Sequence, residues 1–520
     1  MQRRIFITVF FTGLVSLAIE LSASRLLSNY FGSSNLIWAC IIGSILIYMT
    51  IGSVLGGKRA DRSPHEESLY ETVMWAAFST GLIPSISKPL LRLASQAMDH
   101  LDVAPLVITF IVVLLLFSIP MILLSMASPF AIRLLVENTR ESGNLAGKVY
   151  AVSTVGSFIG TFLPVLVLIP SLGTYRTFLV LSGILFLVSL GGFLKTKIGW
   201  KKVLVKYSWM LVVVVLCAWV GLRGSDKIAD GLIYEKESQY NYIQVQQQSG
   251  YNMLRLNEGQ GIHSIYHPDT LDYQATWRQV IAAPFFNAPP YQTTDVHAIA
   301  ILGLAGGTSA RQAASVFPNS HMDGFEIDET VIEVGEQYFG LNDIPNLTVY
   351  AQDARLGLRM LDTKYQLISI DAYRPPYIPA HLTTVEFFTE VYNHLSEDGV
   401  LVINVAQIGG DRRLVDALAT TIRQVFPSIY VSDVPNTFNS IIYATRAKTT
   451  VDNLYSNYLL LDAEGNMPSL LKNTLETTII NLQPVGESKL VFTDDKAPIE
   501  QLVNSMLIDF YLSGGIEKLQ

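Results

Sequence analysis

The sequence predicts a chain of two parts: an N-terminal bundle of about seven apolar helices over residues 1–225, and a doubly wound α/β domain over 291–446. A small antiparallel β unit (230–290) precedes that domain and an extension (447–520) follows it. Three observations predict this arrangement. Half of the 520 residues are hydrophobic and only 15% are charged, which is ordinary for a chain partly embedded in a membrane. Charge is unevenly divided, with 17 Lys+Arg against 9 Asp+Glu in 1–222 and 19 against 35 in 223–520. Finally, HAIAILGLAGG (297–307) followed by DGFEID (323–328) reads as strand, glycine turn, helix and a second strand ending in carboxylates, the unit that holds an adenosine-type ligand.

A membrane-spanning helix needs about 20 mostly apolar residues. Segments near 5–24, 36–56, 72–91, 105–127, 149–170, 176–194 and 203–222 qualify, the third being interrupted by Pro84, Ser85, Ser87 and Pro89. LSAS at 21–24 is cleavage-like, yet further spans follow and Glu20 spoils the apolar core of a signal peptide, so the first segment is read as a span. Glu20 has two readings: a proton or cation site inside the bundle, or a helix-end residue paired with Arg25. GSVLGGKRADR (52–62) is similar to a loop of major-facilitator transporters. Basic residues (Arg3, Arg4, Lys58, Arg59, Arg62, Arg133, Arg140, Lys148, Lys195, Lys197, Lys201, Lys202) fall on one side of the predicted spans, which places the N-terminus inside. The expected location is an integral position in a prokaryotic cytoplasmic membrane. Seven spans put the acidic half outside, whereas cytoplasmic synthesis of S-adenosyl compounds puts it inside, and both stay open. The cysteines, Cys40 and Cys217, lie in apolar runs and form neither a disulfide framework nor a zinc cluster.

The soluble half begins with apolar–polar alternation over 234–264, a small antiparallel β unit. Strands are expected near 297–303, 322–327, 347–351, 366–371 and 399–405, with helices near 308–316, 329–339, 383–395 and 411–425. Segments 429–434 and 440–445 read as an antiparallel pair closing the sheet edge. The acidic composition argues against nucleic acid as a partner and permits a cationic one.

Ligands of open α/β sheets bind beyond the carboxyl ends of the strands. Gly303, Gly306 and Gly307 form the turn. Glu326 and Asp328 follow the second strand, Asp353 the third and Asp371 the fourth. Glu326 suits a ribose diol, Asp353 an adenine amino group, and Asp371 lies where the reacting end of the ligand belongs. Each Asp has a competing reading as a helix cap. Tyr373, Pro375, Pro376 and Tyr377 form a stiff loop, either pocket wall or connection. His263, His267, His321 and His381 show no metal-ligand spacing, so no metal is expected.

The order β unit, GLAGG, FEIDETVIEVGEQYF, AQDAR, SIDAYRPPYIPAHLTTVEFFTEVYNHLSEDGVLVINV resembles the spermidine synthase family of aminopropyltransferases, whose fold is the Rossmann-like class I methyltransferase fold. FTDDKAPIEQL (492–502) is similar to the tail of its membrane-fused branch. The resemblance implies a donor, S-adenosylmethionine or its decarboxylated form, and a polyamine or other amine acceptor. It implies Glu326 on the ribose, Asp353 on the adenine and Asp371 as the residue that orients or deprotonates the attacking amine. The chain departs from the family pattern at Asn241, where a Gln follows the Tyr of the β unit, around Tyr273–Gln279, where the family's Tyr-His pair has no clear match, at Gly306, where the glycine motif carries an Asp, and at Arg374, where DxxD has its second Asp. Asp494 and Asp495 would resupply that charge if the tail folds over the site, and Tyr373 would line the acceptor side. The expected protein is thus a membrane-fused transferase of aminopropyl or methyl groups; the alternatives are a catalytically silent scaffold or sensor, or a transporter-like bundle with a regulatory nucleoside-binding domain. A lipid bilayer is the expected surrounding, and a homodimer or a membrane-protein partner is compatible with the sequence.

Overall fold

A computed structural model describes residues 2–31, 35–100, 105–136, 142–194, 196, 200–223, 225, 227, 229–257, 261–273, 275–373 and 377–512. The chain divides into two compact units, 1–229 with 235–242, and 230–234 with 243–520.

The first unit contains α1 (Gln2–Phe31), α2 (Asn35–Arg62), α3 (Glu66–His100), α4 (Pro105–Ser125), α5 (Ala127–Leu135), α6 (Ser142–Leu163), a π-turn (Pro164–Leu168), α7 (Ile169–Leu172), α8 (Thr174–Phe193) and α9 (Trp200–Gly221). Six stretches, Gln2–Phe31, Ile37–Arg62, Val107–Leu135, Ser142–Leu172, Thr174–Phe193 and Lys201–Gly221, are long and apolar enough to cross a membrane. The expected third span falls short of that apolarity. It lies within α3, which carries Glu66, Glu67, Glu71, Lys88 and Arg92 and continues through Pro84 and Pro89. Even so, α3 runs the length of the bundle. Near its start, Glu66 pairs with Arg4 at 3.3 Å, and Glu71 pairs with Arg59 and Lys206. Near its end, Arg92 donates to the Ser225 carbonyl and Lys88 lies over the Tyr175 ring. Residue 225 therefore lies at the end of the bundle opposite Arg4.

Two sequence expectations change here. GSVLGGKRADR is helical, the last turns of α2; its glycines admit α4 and α5, since a Cβ at Gly56 would meet Met126 at 2.6 Å. Arg25 is not reserved for Glu20: its guanidinium binds Glu237 at 3.0 Å and the Ser238 carbonyl at 2.7 Å. Glu237 in turn accepts the Thr174 N–H and hydroxyl at 2.9 and 2.7 Å. It thereby caps α8, whose Gly173 N-cap has no side chain to do so.

The outer faces of the bundle are apolar, with Phe158, Leu166, Leu187 and Val205 each more than 60% exposed. Inside, α1 and α6 approach closely because Gly13, Gly156 and Gly160 lie between them; a Cβ at Gly160 would collide with the Leu14 carbonyl. Gly160→Leu should therefore lower the unfolding midpoint of the detergent-solubilised protein, overpacking costing about 1–3 kcal/mol. Gly183→Leu, with open space around its Cβ, should leave the midpoint in place; equal midpoints for both variants would refute the close contact.

After α9 the chain builds two sheets. β1 (Leu232–Glu237), β2 (Tyr242–Gln248), β3 (Tyr251–Leu256) and β4 (Ser264–Tyr266) form a four-stranded sheet in that order. The alternation read in the sequence places Ile243, Val245, Leu254 and Leu256 on one face, packed with Val331, Val334 and Phe339. Then come β5 (Ala298–Leu302), α10 (Thr308–Val316), β6 (His321–Glu326), α11 (Glu329–Tyr338), β7 (Leu347–Ala351), α12 (Ala354–Arg359), β8 (Tyr365–Ile370), α13 (Val385–His394), β9 (Leu395–Ala406), α14 (Arg413–Ile422), β10 (Ser428–Asp433), β11 (Asn439–Thr445), α15 (Val451–Glu464), α16 (Ser469–Ile480), β12 (Leu482–Gln483) and α17 (Ile499–Leu512).

The large sheet has the order β12-β10-β11-β9-β8-β5-β6-β7. Strands β7, β6, β5, β8 and β9 are parallel; β11, β10 and β12 add antiparallel pairs at one edge. Chain order reverses at β5, which has β6 on one side and β8 on the other, and it is at the carboxyl ends of strands at such a switch point that open sheets form their ligand crevice. Both faces are covered, as continuous apolar strands require. Ile299, Ile301, Val400 and Val402 pack under residues 276–286, α10, α15 and α16. Leu302, Ile368, Ile370, Leu401 and Ile403 pack under α13, α14 and α17. The extension, over 447–512, thus supplies part of both outer layers of the large sheet.

Candidate functional site

The glycine turn follows β5. Gly303 has φ 96° and lies against the chain after β8; a Cβ there would meet the Asp371 carbonyl oxygen at 2.6 Å. Gly307 has φ 86° and opens α10. At Gly306 a Cβ would meet the Phe339 ring and the Ser264 Cβ at 3.0 Å, so a side chain at the position where the family pattern has an Asp would crowd β4 and the end of α11.

Every N–H of the turn ends on a protein oxygen. Gly303 and Leu304 donate to the Phe325 carbonyl, Ala305 to Glu326 Oε2 at 3.0 Å, Gly306 to Ser264 Oγ at 2.8 Å and Gly307 to the Leu304 carbonyl. The turn itself therefore keeps no N–H for a ligand, and Glu326 and Asp371 beside it offer acceptors.

Glu326 ends β6, half-buried. Its oxygens accept one N–H each, from Ala305 and from Asp328 at 3.1 Å. Burial pushes its pKa up to about 7, the two N–H groups opposing the shift. A carboxylate accepting one bond per oxygen keeps lone pairs for two further donors, which a ribose diol supplies. Asp328 is buried and caps α11, accepting the Thr330 N–H at 3.1 Å.

Asp353 caps α12 through Oδ1, which accepts Arg355 N–H at 3.1 Å and Leu356 N–H at 3.0 Å, while Oδ2 lies 2.9 Å from His381 Nε2. The His381 bond holds Asp353 below the usual carboxylate range. A purine amino group would have to share or displace His381. Behind Asp353, buried Arg355 binds Glu390 and both oxygens of Asp494 (2.8 and 2.9 Å), and Thr384 donates to Asp494 at 2.6 Å. The tail motif therefore braces α12 and α13, and Asp494 spends its charge on Arg355, which holds its pKa down to about 2. Asp495 is exposed.

Asp371 follows β8 at the switch point. Burial pushes its pKa up to about 6, against a hydrogen bond from Asn404 Nδ2 at 2.9 Å. Tyr373 donates to the Asn404 carbonyl at 3.0 Å and accepts the Ala406 N–H at 2.8 Å, so it pins the end of β9 to the loop after β8. Arg374, Pro375 and Pro376 lie outside the described residues.

The structure thus brings together the glycine turn, Glu326 and Asp371 around one crevice. Asp328 is engaged as a helix cap, and Asp353, also a helix cap, is further held by His381. Asn404 and His381 were missed by sequence reasoning. For Asn404 a signal existed: it is the one polar residue in VINVA, at the carboxyl end of a predicted strand.

A model of the spermine/spermidine synthase domain matches residues 289–456. A probable polyamine aminopropyl transferase of Bifidobacterium longum is 30% identical over 289 residues, covering 52% of this chain and 62% of the relative. A polyamine aminopropyltransferase of Vibrio vulnificus is 32% identical over 212 residues, covering 39% of this chain and 68% of the relative. The crystal structure of a probable spermidine synthase from Corynebacterium glutamicum covers 51% of this chain and 99% of its own, at 19% identity and a TM-score of 0.38.

Proposed function

The chain belongs to the spermine/spermidine synthase family of polyamine aminopropyltransferases, and on that premise we propose that its α/β unit transfers an aminopropyl group from decarboxylated S-adenosylmethionine to an amine. The observation that carries this reading is the set of acceptors at the switch point, with Glu326 on one side of the glycine turn, Asp371 on the other and the turn's own N–H groups bonded within the protein. Such a lining suits a ligand rich in O–H and N–H donors.

Glu326 would hold the ribose hydroxyls. The donor's sulfonium supplies an electrophilic carbon and leaves as a neutral thioether. Asp371 acts on the acceptor: an alkylammonium has a pKa near 10 and no lone pair to attack with, so a base must take or share its proton as the C–N bond forms and the C–S bond breaks. Burial serves that role, because a carboxylate raised to about 6 is closer in proton affinity to an amine than an exposed one.

Calorimetry with methylthioadenosine, decarboxylated S-adenosylmethionine and S-adenosylmethionine tests the reading. Methylthioadenosine should bind, and Glu326→Gln should weaken it by about ten-fold or more, as loss of a charged acceptor to hydroxyls costs about 1.5–3 kcal/mol. Since the ionised form is the better acceptor for two hydroxyls, wild-type affinity should rise as pH increases through about 7. Silence toward all three nucleosides would sink the proposal.

We further propose that the bundle is embedded in a lipid bilayer, on the strength of its six apolar helices and apolar outer faces.

A further inference from the structure

We propose that Asn404 contacts the acceptor directly: its side-chain oxygen receives one N–H of a primary amine whose other N–H is held by Asp371, so that the pair selects primary over secondary amines. This rests on the aminopropyl-transfer reading and names the part of the site that discriminates among acceptors.

The placement follows from the sheet. β8 and β9 are parallel neighbours with Ile370 opposite Ile403, so the next residues, Asp371 and Asn404, emerge side by side at the carboxyl edge. The amide can point only one way. Its Nδ2 donates to Asp371 Oδ1 at 2.9 Å; the flipped amide would set two oxygens against each other. Oδ1 is consequently turned away from Asp371. It is buried and has no hydrogen-bond partner among the described residues.

The backbone cannot relax to satisfy it. The Asn404 carbonyl is held by the Tyr373 hydroxyl, which also accepts from Ala406 N–H. A buried acceptor without a donor beside a reactive carboxylate is the arrangement expected where a ligand brings the donor. Once the ammonium has given up one proton to solvent, the free oxygens of Asp371 and Asn404 match the two N–H groups of the neutral primary amine; occupying both leaves its lone pair unengaged for attack, and Asp371 takes the proton it holds as the C–N bond forms and the C–S bond breaks. A secondary amine has one N–H and must leave one of the two acceptors unsatisfied.

The experiment uses the full chain in detergent with methylthioadenosine bound, and titrates putrescine and N,N′-dimethylputrescine into wild type, Asn404→Leu and Asn404→Ala. Wild type should bind putrescine at least ten-fold tighter than its dimethyl analogue. Both variants should lose that preference while holding methylthioadenosine as wild type does; Asn404→Ala, the smaller change, guards against a folding defect in Asn404→Leu. Unchanged discrimination in a variant that still binds methylthioadenosine overturns the assignment and leaves the adenosyl reading standing. Failure of wild type to bind methylthioadenosine overturns both.

Discussion

Replacing Asp371 with Asn is expected to lower the rate of aminopropyl transfer by about 10²–10⁴-fold, the range general base catalysis supplies, with methylthioadenosine affinity within a few-fold of wild type. The amide keeps the shape of the side chain and its contact with Asn404 but accepts no proton. The same residue sets an acid limb. Its folded pKa is raised to about 6 by burial, and the ionised form is the base, so the rate at saturating donor should fall as pH drops below about 6. Stability runs the other way. A raised carboxyl pKa favours the folded state at low pH, and that contribution disappears as pH rises through about 6. Asp371→Asn should therefore unfold no lower, and somewhat higher, than wild type at pH 7.5. Steady-state rates and thermal melts on the same preparations check both signs; an unchanged rate would remove Asp371 from the chemistry.

Replacing Arg355 with Met should destabilise the α/β unit by about 1 kcal/mol, since Arg355 is buried but its partner Asp494 is exposed and solvent screens the pair. Met fills the space of the Arg stem, but Asp494 is left with Thr384 and Glu390 with Arg359. The damage should be local first. Hydrogen exchange should quicken in 492–512 and in α12, while peptides from β5 and β8 stay protected. The pH dependence follows from Asp494, whose pKa is depressed to about 2 by Arg355. Its contribution is fully present above the ordinary carboxylate range and is lost as pH falls from about 4 toward about 2. Wild type should lose protection of the tail over that window, and Arg355→Met should show no such step. Equal exchange in the two proteins at neutral pH would mean that the tail is held by its apolar anchors, Phe492, Ile499 and Val503, rather than by charge.

These two residues mark where the sequence could and could not be read. Asp371 was legible because β8 is buried on both faces, and a continuous apolar strand ending in a carboxylate announces itself without an alignment. The same reasoning located Glu326 and the glycine turn. Arg355 was not legible. It belongs to α12, six residues too short to show a period, and its partners lie 35 and 139 positions away. For Asp494 and Asp495 the sequence showed negative charge within FTDDKAPIEQL but not its partner; folding turned Asp494 onto Arg355 and left Asp495 in solvent. The third span shows the converse limit. Pro84, Ser85, Ser87 and Pro89 interrupt its apolar run, yet α3 runs the length of the bundle with ionic side chains paired near both ends.

By itself, the sequence determined the bipartite architecture, the strand order of chemistry along the α/β domain and the identity of the acids at its rim, since each depends on local periodicity and on what a turn or strand end requires of its own residues. Only the tertiary structure decided which of those acids remain available. A carboxylate's lone pairs are committed by whatever donors the fold brings to it: Thr330 for Asp328, His381 and two backbone N–H groups for Asp353, Arg355 for Asp494. That commitment, and the free oxygen it leaves on Asn404, arises between strands and helices far apart in the chain, where no pattern along the sequence can register it.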